Sequence, residues 1–446
     1  MKIKIPEQAK NIIKELNQAG FEAYVVGGCV RDSLLNKEPQ DWDITTSAKP
    51  EQVKSLFLRT IDTGIEHGTV TVMMDKVGYE VTTYREDGEY KDHRRPMGVT
   101  FTSSLKEDLK RRDFTINAMA YNDTEGLVDL FGGKEDLKNG ILRCVGEAKD
   151  RFNEDALRIL RALRFSAQLN FELEEQTQEA MREKCGFLRD ISAERIQVEL
   201  TKLLVSAHPE KLLNGYELGI TKVVLPEFDA MMQTPQQHPY HCFNVGLHTM
   251  EVVKNIDPEP ILRWAALLHD VAKPLCRTRD DKGIDHFYGH DARGEKMAAE
   301  VIKRMKLDNH TLHAVCTLVR FHDQWFPLPV KKSAVKKKLN QIGADLFLDL
   351  LKLNRADGLG QAPEKWKEKE EYLRQVREVF DEVIKEQECF SLKDLAVSGG
   401  DLIQAGIKPG KEMGDLLKYL LEIVIEHPEE NEKEHLIQIA LKKNSF

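Results

Sequence analysis

Apolar residues recur at helical spacing over 7–19, where Ala9, Ile12, Ile13, Leu16 and Ala19 mark one face and Gly20 ends the run. Phe21–Val26 reads as a strand, Cys29–Leu35 as a short helix and Asp41–Thr46 as a second strand. Thr69–Met74 and Tyr79–Tyr84 flank the turn residues Asp75–Gly78, a β-hairpin pattern. Residues 1–145 therefore predict a mixed α/β domain. From Asn153 the strand signals nearly vanish. Leu157, Leu160, Leu163 and Leu169 open a long helical region that Ile196, Leu200, Leu203 and Leu204 continue. Pro226, Pro235 and Pro239 mark a boundary, after which 240–360 is again helical in pattern and rich in histidine. The segment 364–387 predicts a charged amphipathic helix. Breaks at Gly399-Gly400 and Pro409-Gly410 then precede two further helices.

At 446 residues the chain is long enough for roughly three domains. A content of 41% hydrophobic and 31% charged residues suits an ordinary soluble fold, and no run approaches the roughly 18 apolar residues of a membrane span. The first sixteen residues lack the long apolar stretch of a secretory leader. Seven cysteines, an odd number with no CxxC pair, predict a reduced, cytoplasmic protein rather than a disulfide framework or zinc ribbon. A net charge of −9 argues against general polycation-style binding of nucleic acid, while leaving room for local basic patches.

The chemistry concentrates near the N-terminus. Gly27-Gly28-Cys29-Val30-Arg31-Asp32 offers a backbone that a phosphate can approach closely, and Asp41-Trp42-Asp43 follows. On a strand, residues two apart share a face, so Asp41 and Asp43 can present two hard oxygen ligands to Mg²⁺, which commonly uses one or two carboxylates plus substrate phosphates. The alternative is a solvated strand end. Glu80, in Tyr79–Arg85, is either a third carboxylate activating the attacking hydroxyl or an exposed strand residue. Arg111-Arg112-Asp113 places two guanidinium groups where a helix is expected to start, which suits phosphate contact as well as a surface Arg–Asp network. These features point to metal-assisted phosphoryl or nucleotidyl transfer.

The order of GGCVRD, DWD, YEVTTYR, DGEYKDHRRP and RRDFTINAMA, followed by Glu154–Phe165 (EDALRILRALRF) and Ile191–Ile196 (ISAERI), resembles the tRNA nucleotidyltransferases of the bacterial CCA-adding type, in the polymerase-beta-like superfamily. The resemblance covers about the first 230 residues. It implies an α+β protein: a small mixed α/β nucleotidyltransferase head (1–150), an all-α neck for nucleotide selection and RNA binding (151–228), a helical HD body (229–362) and a helical tail in contact with RNA (363–446). It implies Mg²⁺ at Asp41 and Asp43 with Glu80 assisting. Gly28, Arg31, Arg112 and, as a neighbour, Arg111 would contact the nucleotide, and Arg161 and Arg164 would lie near its phosphates. The partners it implies are CTP, ATP and the 3′ end of tRNA. The loop Asp87–Pro96 is, in this family, what the switch from C to A addition requires, and its full length favours the CCA product over CC alone. The alternative products on this scaffold are CC and a poly(A) tail.

Asp155 and Arg158 carry an argument of their own. At i and i+3 of a helix they share a face, and together they offer an acceptor beside a donor. Cytosine and adenine both present an amino donor beside a ring-nitrogen acceptor. Uracil and guanine present an acceptor beside a ring N–H, and would leave buried groups unpaired. The family resemblance assigns this pair the same work, protein standing in for a template.

The C-terminal half holds a second constellation. Asn244–Thr249 with His248, Leu267–Pro274 with His269-Asp270, and Asn354–Gly358 with Asp357 resemble the HD phosphohydrolases, with His290 and His322 as additional ligands or phosphate contacts. That resemblance implies a second divalent metal (Mn, Ni or Mg) and hydrolysis of phosphoesters such as 2′,3′-cyclic phosphates or 2′-phosphate ends. A reading from another class is an HD-centred hydrolase whose head only binds. Lys331, Lys332, Lys336, Lys337 and Lys338 form the clearest basic cluster for RNA, or else a solvated face. No membrane partner is expected, and the oligomeric state stays open.

Overall fold

The computed structural model describes residues 2–88, 90–91, 95–96, 98–237, 242–386 and 388–444. The chain divides into two compact units, Met1–Asp229 and Ala230–Phe446.

The first unit opens with α1 (Glu7–Gln18), which buries Ala9, Ile12, Ile13 and Leu16 as the spacing predicts. There follow β1 (Ala23–Val26), α2 (Gly28–Leu34), β2 (Ile44–Thr46), α3 (Pro50–Leu56), β3 (Thr60–Gly64), β4 (Thr69–Met74) and β5 (Val77–Thr83). Four short strands, β6 (Arg85–Asp87), β7 (Tyr90–Lys91), β8 (Arg95–Pro96) and β9 (Val99–Phe101), lead to α4 (Leu105–Lys110), β10 (Met119–Asn122), β11 (Gly126–Asp129), α5 (Gly133–Asn139) and β12 (Ile141–Leu142). Seven strands make one sheet in the order β11-β10-β1-β2-β5-β4-β3. Within this sheet of the described residues, the β2–β5 pair alone is parallel. Val25, Ile44, Val70, Val72 and Val81 are fully buried and anchor it. The β4–β5 hairpin closes over Asp75 and Lys76, both at positive φ (48° and 70°), the handedness that suits the twist of a two-residue hairpin turn.

The helical remainder of this unit comprises α6 (Ala148–Glu154), α7 (Leu157–Leu169), β13 (Glu172–Leu173, paired with β12), α8 (Glu175–Lys184), α9 (Ala193–Leu204), α10 (Leu212–Glu217) and α11 (Thr221–Val224), and α12 (Pro226–Met232) runs across the boundary at Asp229. Three expectations are corrected here. The second strand begins at Ile44 rather than Asp41, because β1 ends at Val26 and its last amide is met by the Asp43 carbonyl (3.0 Å), leaving Asp41 beyond the ladder. Arg111 and Arg112 follow the C-terminal end of α4 instead of opening a helix. Asp155 lies in the break between α6 and α7 with extended backbone (φ −138°, ψ 103°), so it does not share a helix with Arg158.

The second unit contains α13 (Val245–Asn255), α14 (Pro260–Leu268), α15 (Lys273–Cys276), a small hairpin of β14 (Thr278–Arg279) and β15 (Asp285–His286), α16 (His290–Arg304), α17 (Asn309–Phe321), α18 (Lys332–Ile342), α19 (Ala344–Leu359), α20 (Pro363–Lys385), α21 (Gly399–Gln404), α22 (Lys411–Glu426) and α23 (Lys433–Asn444). The hairpin interrupts a region whose apolar pattern predicts helix alone. Trp264 is fully buried among these helices, and Leu402, Leu420, Val424 and Leu436 form a core toward the C-terminus. Among the described residues no helix is long and apolar enough to cross a membrane. The lysine cluster is largely consumed within the unit. Lys332 pairs with Glu386 (2.6 Å), Lys336 is buried against Glu388 (3.0 Å), Lys337 pairs with Glu426, and Lys338 lies 3.9 Å from the Phe321 ring centroid. It is therefore not an open basic face.

Candidate functional site

Two constellations emerge, one in each unit. In the first, the parallel register sets Ile44 beside Val81, and one residue earlier on each segment stand Asp43 and Glu80. Both are solvent-exposed, as is Asp41. Partial loss of water and the Glu80 carboxylate raise the Asp43 pKa, Arg112 opposing and Asp41 adding to the rise. The Glu80 and Asp41 carboxylates thus both act on Asp43, and hard oxygen donors of this kind suit Mg²⁺, while among the described residues the three do not bring ligand atoms within 4.8 Å of one another as the second unit's clusters do.

The Gly-Gly turn sits at the end of β1. Gly27 adopts φ 81° and donates to the Met119 carbonyl (3.2 Å). A Cβ there would lie 3.0 Å from Arg112 Nη1, so the glycine is what lets that guanidinium rest against the backbone. Arg31, on α2 beginning at Gly28, donates to Asn117 Oδ1 (2.7 Å) and to Asp32 Oδ1 (2.8 Å). Asp108, fully buried at the end of α4, accepts from Arg111 (2.7 Å) and Thr45 (3.0 Å) and pairs with Arg112 (3.5 Å). Burial alone would raise its pKa, but the two guanidinium groups hold it below the usual carboxylate range. Arg112 in turn has its pKa lowered by loss of water against the pull of Asp108, and its Nε is buried with no hydrogen-bond partner.

On α7, Arg161 donates twice to Asp113 Oδ2 (2.8 and 2.5 Å), while Asp113 Oδ1 accepts from the Phe114 amide (2.8 Å) and Asn117 Nδ2 (3.2 Å). Against the effect of burial, Arg161 and Arg158 bring Asp113 down to about 2. Arg164 pairs with buried Glu199 (2.9 Å), and its own pKa falls to about 10 through burial. The guanidinium groups of Arg31, Arg161 and Arg164 lie 5.1, 5.4 and 4.1 Å from the Phe165 ring centroid, so this one aromatic collects cations from two helices.

Asp155 and Arg158 each have other partners than one another. Asp155 Oδ2 accepts from Arg195 (2.8 Å) at the start of α9, and its Oδ1 caps the Leu157 amide (3.1 Å). Arg158 donates to Glu154 (2.5 Å) and to the Arg111 carbonyl (3.0 Å). Sequence reasoning missed the residues that hold the predicted ones: Asp108, Asp113, Asn117, Glu154, Arg195 and Glu199. Four of them, Asp113, Asn117, Glu154 and Arg195, stand inside the motifs that drew attention to their neighbours. In the loop 87–96, Glu89 and Asp92–Arg94 lie outside the described residues. Around them β6 pairs with β9 and β7 with β8.

In the second unit, His248 on α13, His269-Asp270 after α14, His290 opening α16, His322 after α17 and Asp357 on α19 converge. Their ligand atoms fall into two groups, His248/His269/Asp357 and Asp270/His290/His322, each within 4.8 Å. Asp270 links them: its Oδ2 is 3.1 Å from His269 Nε2, and its Oδ1 is 3.6 Å from both His290 and His322 Nε2. Every histidine turns Nδ1 to a backbone carbonyl (Gly360, Ala266, Phe287 and Val319, at 2.7–3.0 Å), which leaves Nε2 facing the centre. That fixed ring orientation is the one metal-binding histidines adopt. Lys273 sits 2.7 Å from Asp270, and Lys369 of α20 sits 2.6 Å from Asp357. Burial raises the pKa of both carboxyls, but their neighbours, His269 with Lys273 and Lys369 with His248, hold them well below the ordinary value. A cavity of about 380 Å³ opens beside the cluster.

Family models match three stretches: a poly A polymerase head domain over 23–143, a probable RNA and SrmB-binding site of polymerase A over 170–232, and a putative tRNA nucleotidyltransferase domain 2 over 291–440. The CCA-adding enzyme of Enterococcus faecalis is 36% identical over 445 residues, 98% of this chain and 96% of that protein. That of Limosilactobacillus fermentum is 37% identical over 442 residues, 97% and 96% of the two. Among solved structures, the Bacillus stearothermophilus CCA-adding enzyme in complex with CTP superposes with a TM-score of 0.73 at 30% identity, covering 98% of this chain and 97% of that one. The Thermotoga maritima CCA-adding enzyme complexed with tRNA shares the fold, with a TM-score of 0.58 at 22% identity over 99% of this chain and 100% of that one.

Proposed function

The chain belongs to the family of CCA-adding enzymes, template-independent tRNA nucleotidyltransferases, and on that premise we propose how its residues divide the work. The 3′ hydroxyl of a tRNA attacks the α-phosphorus of CTP or ATP, a P–O bond forms, and pyrophosphate leaves with the electron pair of the bond it loses. Asp41 and Asp43, with Glu80 beside them, are the residues that would hold Mg²⁺, whose chemistry when bound is to neutralise phosphate charge and favour the ionised hydroxyl. Arg31, Arg112, Arg161 and Arg164 grip the triphosphate, with Arg111 at their edge, and Gly28 gives it close access to the backbone. Asp155 and Arg158 read the amino edge of cytosine or adenine, Arg195 and Glu154 fixing the direction of each. In this reading 1–150 is the catalytic head, 151–228 the selecting neck, and 229–362 and 363–446 the body and the RNA-contacting tail. The chain works in the cytoplasm, in keeping with seven free cysteines.

The observation that carries this reading is the parallel β2–β5 register, which brings Asp43 and Glu80 to neighbouring positions, with Arg112 acting on the same Asp43 carboxyl. The test is incubation of a tRNA lacking its 3′ end with Mg²⁺ and the four nucleoside triphosphates, singly and together, followed by sequencing of the product. CCA supports the reading, whereas CC alone or a long A tail assigns the chain to the alternative products. Asp41→Ala and Asp43→Ala should each abolish incorporation.

A second activity is favoured by the six-residue cluster of the second unit, which would hold one or two divalent cations. His248, His269, Asp270 and Asp357 form its core, with His290 and His322 completing it, and Mn, Ni or Mg are the candidates. The reaction is hydrolysis of a phosphoester, in which water adds at phosphorus and the alcohol leaves with a proton. Asp43→Ala should leave this activity intact while incorporation is lost.

A further inference from the structure

The hairpin that interrupts the second unit builds a ring platform at the rim of the histidine cluster. Asp285, 2% exposed, fixes β15 by accepting from Arg279 (2.9 and 3.1 Å) and from the Gln237 amide (2.8 Å), and it pairs with Arg277 (3.1 Å). The next residue, His286, is held through Nε2 by Asp280 (3.0 Å). Its ring lies flat under Tyr288, with centroids 5.4 Å apart and planes 7° from parallel. Tyr288 itself is 78% exposed. Its hydroxyl approaches His286 Nδ1 (3.5 Å), so one face of the Tyr288 ring is set against the imidazole while the other stays open to a flat partner.

The location is specific. Phe287, between the two rings, supplies the carbonyl that orients His290 Nδ1 (2.7 Å), so platform and candidate ligand belong to one continuous segment. Tyr288 and His290 are two residues apart, at most about 7 Å along the backbone, a distance comparable to that between a nucleobase and its own phosphate. Both line the same cavity of about 380 Å³, together with His286, Lys273, Asp270 and Asp357. That is the small end of ligand pockets, with room for one nucleotide.

We propose that Tyr288 is a specificity-determining residue of the second unit's hydrolytic site, stacking the base of a single nucleotide phosphoester on its exposed ring while the phosphate lies beside the divalent cation that Asp270, His290 and His322 would hold. The inference rests on the hydrolytic reading given above. Stacking tolerates any base, since each has a π-face, so the site would distinguish nucleotides from other phosphoesters rather than one base from another.

The test uses the full chain with Mn²⁺, on an Arg158→Ala background that removes base reading in the first unit. Calorimetric titration with adenosine 2′-monophosphate and with ribose 5-phosphate is run on Tyr288→Ala, Tyr288→Phe and unsubstituted Tyr288, alongside hydrolysis of both compounds. Loss of the stack should weaken nucleotide binding about tenfold and raise its KM similarly. Ribose 5-phosphate should be unaffected, and Phe should restore the nucleotide. Equal affinities in all three proteins, with hydrolysis retained, would overturn the platform and leave the hydrolytic reading standing. Absence of both Mn²⁺ binding and hydrolysis from the unsubstituted protein would overturn the two together. Tyr288 is exposed, so the alanine variant should fold, and the unchanged ribose 5-phosphate titration checks that it has.

Discussion

Replacing Arg195 by Met tests the template role of Asp155 without touching Asp155. Arg195 donates to Asp155 Oδ2 at 2.8 Å, the other oxygen being occupied by the Leu157 amide. With Arg195 gone, the carboxylate keeps one tether and can rotate about it. A charge-assisted hydrogen bond contributes about 1.5–3 kcal/mol. The pair is 30% and 18% exposed, so water screens part of this and the lower end applies. About 1.4 kcal/mol is a factor of ten in rate. Methionine keeps the length of the arginine stem, which limits the loss of packing. Single-nucleotide incorporation on tRNA ending before the first C, and on tRNA ending before the final A, should therefore show kcat/KM for CTP and ATP about tenfold lower. UTP and GTP should change far less, since a disordered acceptor no longer penalises them, and the selection ratio should narrow accordingly. Arg195→Lys should recover part of it. If all four nucleotides fall by the same factor, Asp155 supports the fold of the neck and reads nothing; if none changes, Arg195 is not what orients it.

Other consequences follow from the same geometry. Asp113 titrates near 2 in the folded chain against an ordinary value of 3.8, so its carboxylate contributes about 2 kcal/mol of stability above pH 4 that disappears as pH falls toward 2. The difference in urea midpoint between the wild type and Asp113→Asn should shrink from pH 5 to pH 3, and a pH-independent difference would contradict this. Gly27→Ala puts a Cβ 3.0 Å from Arg112 Nη1 at a φ of 81°, so KM for CTP and ATP should rise several-fold together, with a loss of about 1–2 kcal/mol in stability. Lys369→Met removes an ammonium 2.6 Å from Asp357, and calorimetry should find Mn²⁺ bound at least about fivefold more tightly by the second unit.

Local patterns carried much of this fold and stopped at identifiable points. The α1 face and the β4–β5 hairpin were legible because period and turn chemistry are properties of adjacent residues. Asp155 was misplaced onto a helix although its own chemistry argued otherwise: an aspartate competes for nearby amides and favours a cap, which is what its bond to Leu157 shows. The anchors of the arginines were out of reach because Asp113 and Arg161 are 48 residues apart and Asp155 and Arg195 are 40 apart. No period or spacing joins them. The lysine run over 331–338 failed for the same reason. Its charge is met by Glu386, Glu388 and Glu426, all on later segments, and a run of like charge says nothing of what will face it.

On the proposed assignment, those anchors show how a chain of net charge −9 would present a triphosphate with cations. The arginines of the proposed nucleotide site in the first unit are tied to acids: Arg111 and Arg112 share Asp108, and Arg161 pairs with Asp113, Arg164 with Glu199 and Arg158 with Glu154. Each tie weakens the local positive field, yet it fixes the guanidinium before the ligand arrives, and a fixed donor loses less on binding than a mobile one. The acids at the end of β2 and on β5 are arranged the opposite way. Asp43 faces Glu80 and Asp41 with Arg112 as its main counterweight, and its raised pKa records that imbalance. One part of the proposed site thus holds cations already compensated, and another holds carboxylates short of positive charge. A lone triphosphate would be repelled by the second group and a lone cation bound only by it, whereas a cation carried together with a triphosphate satisfies both.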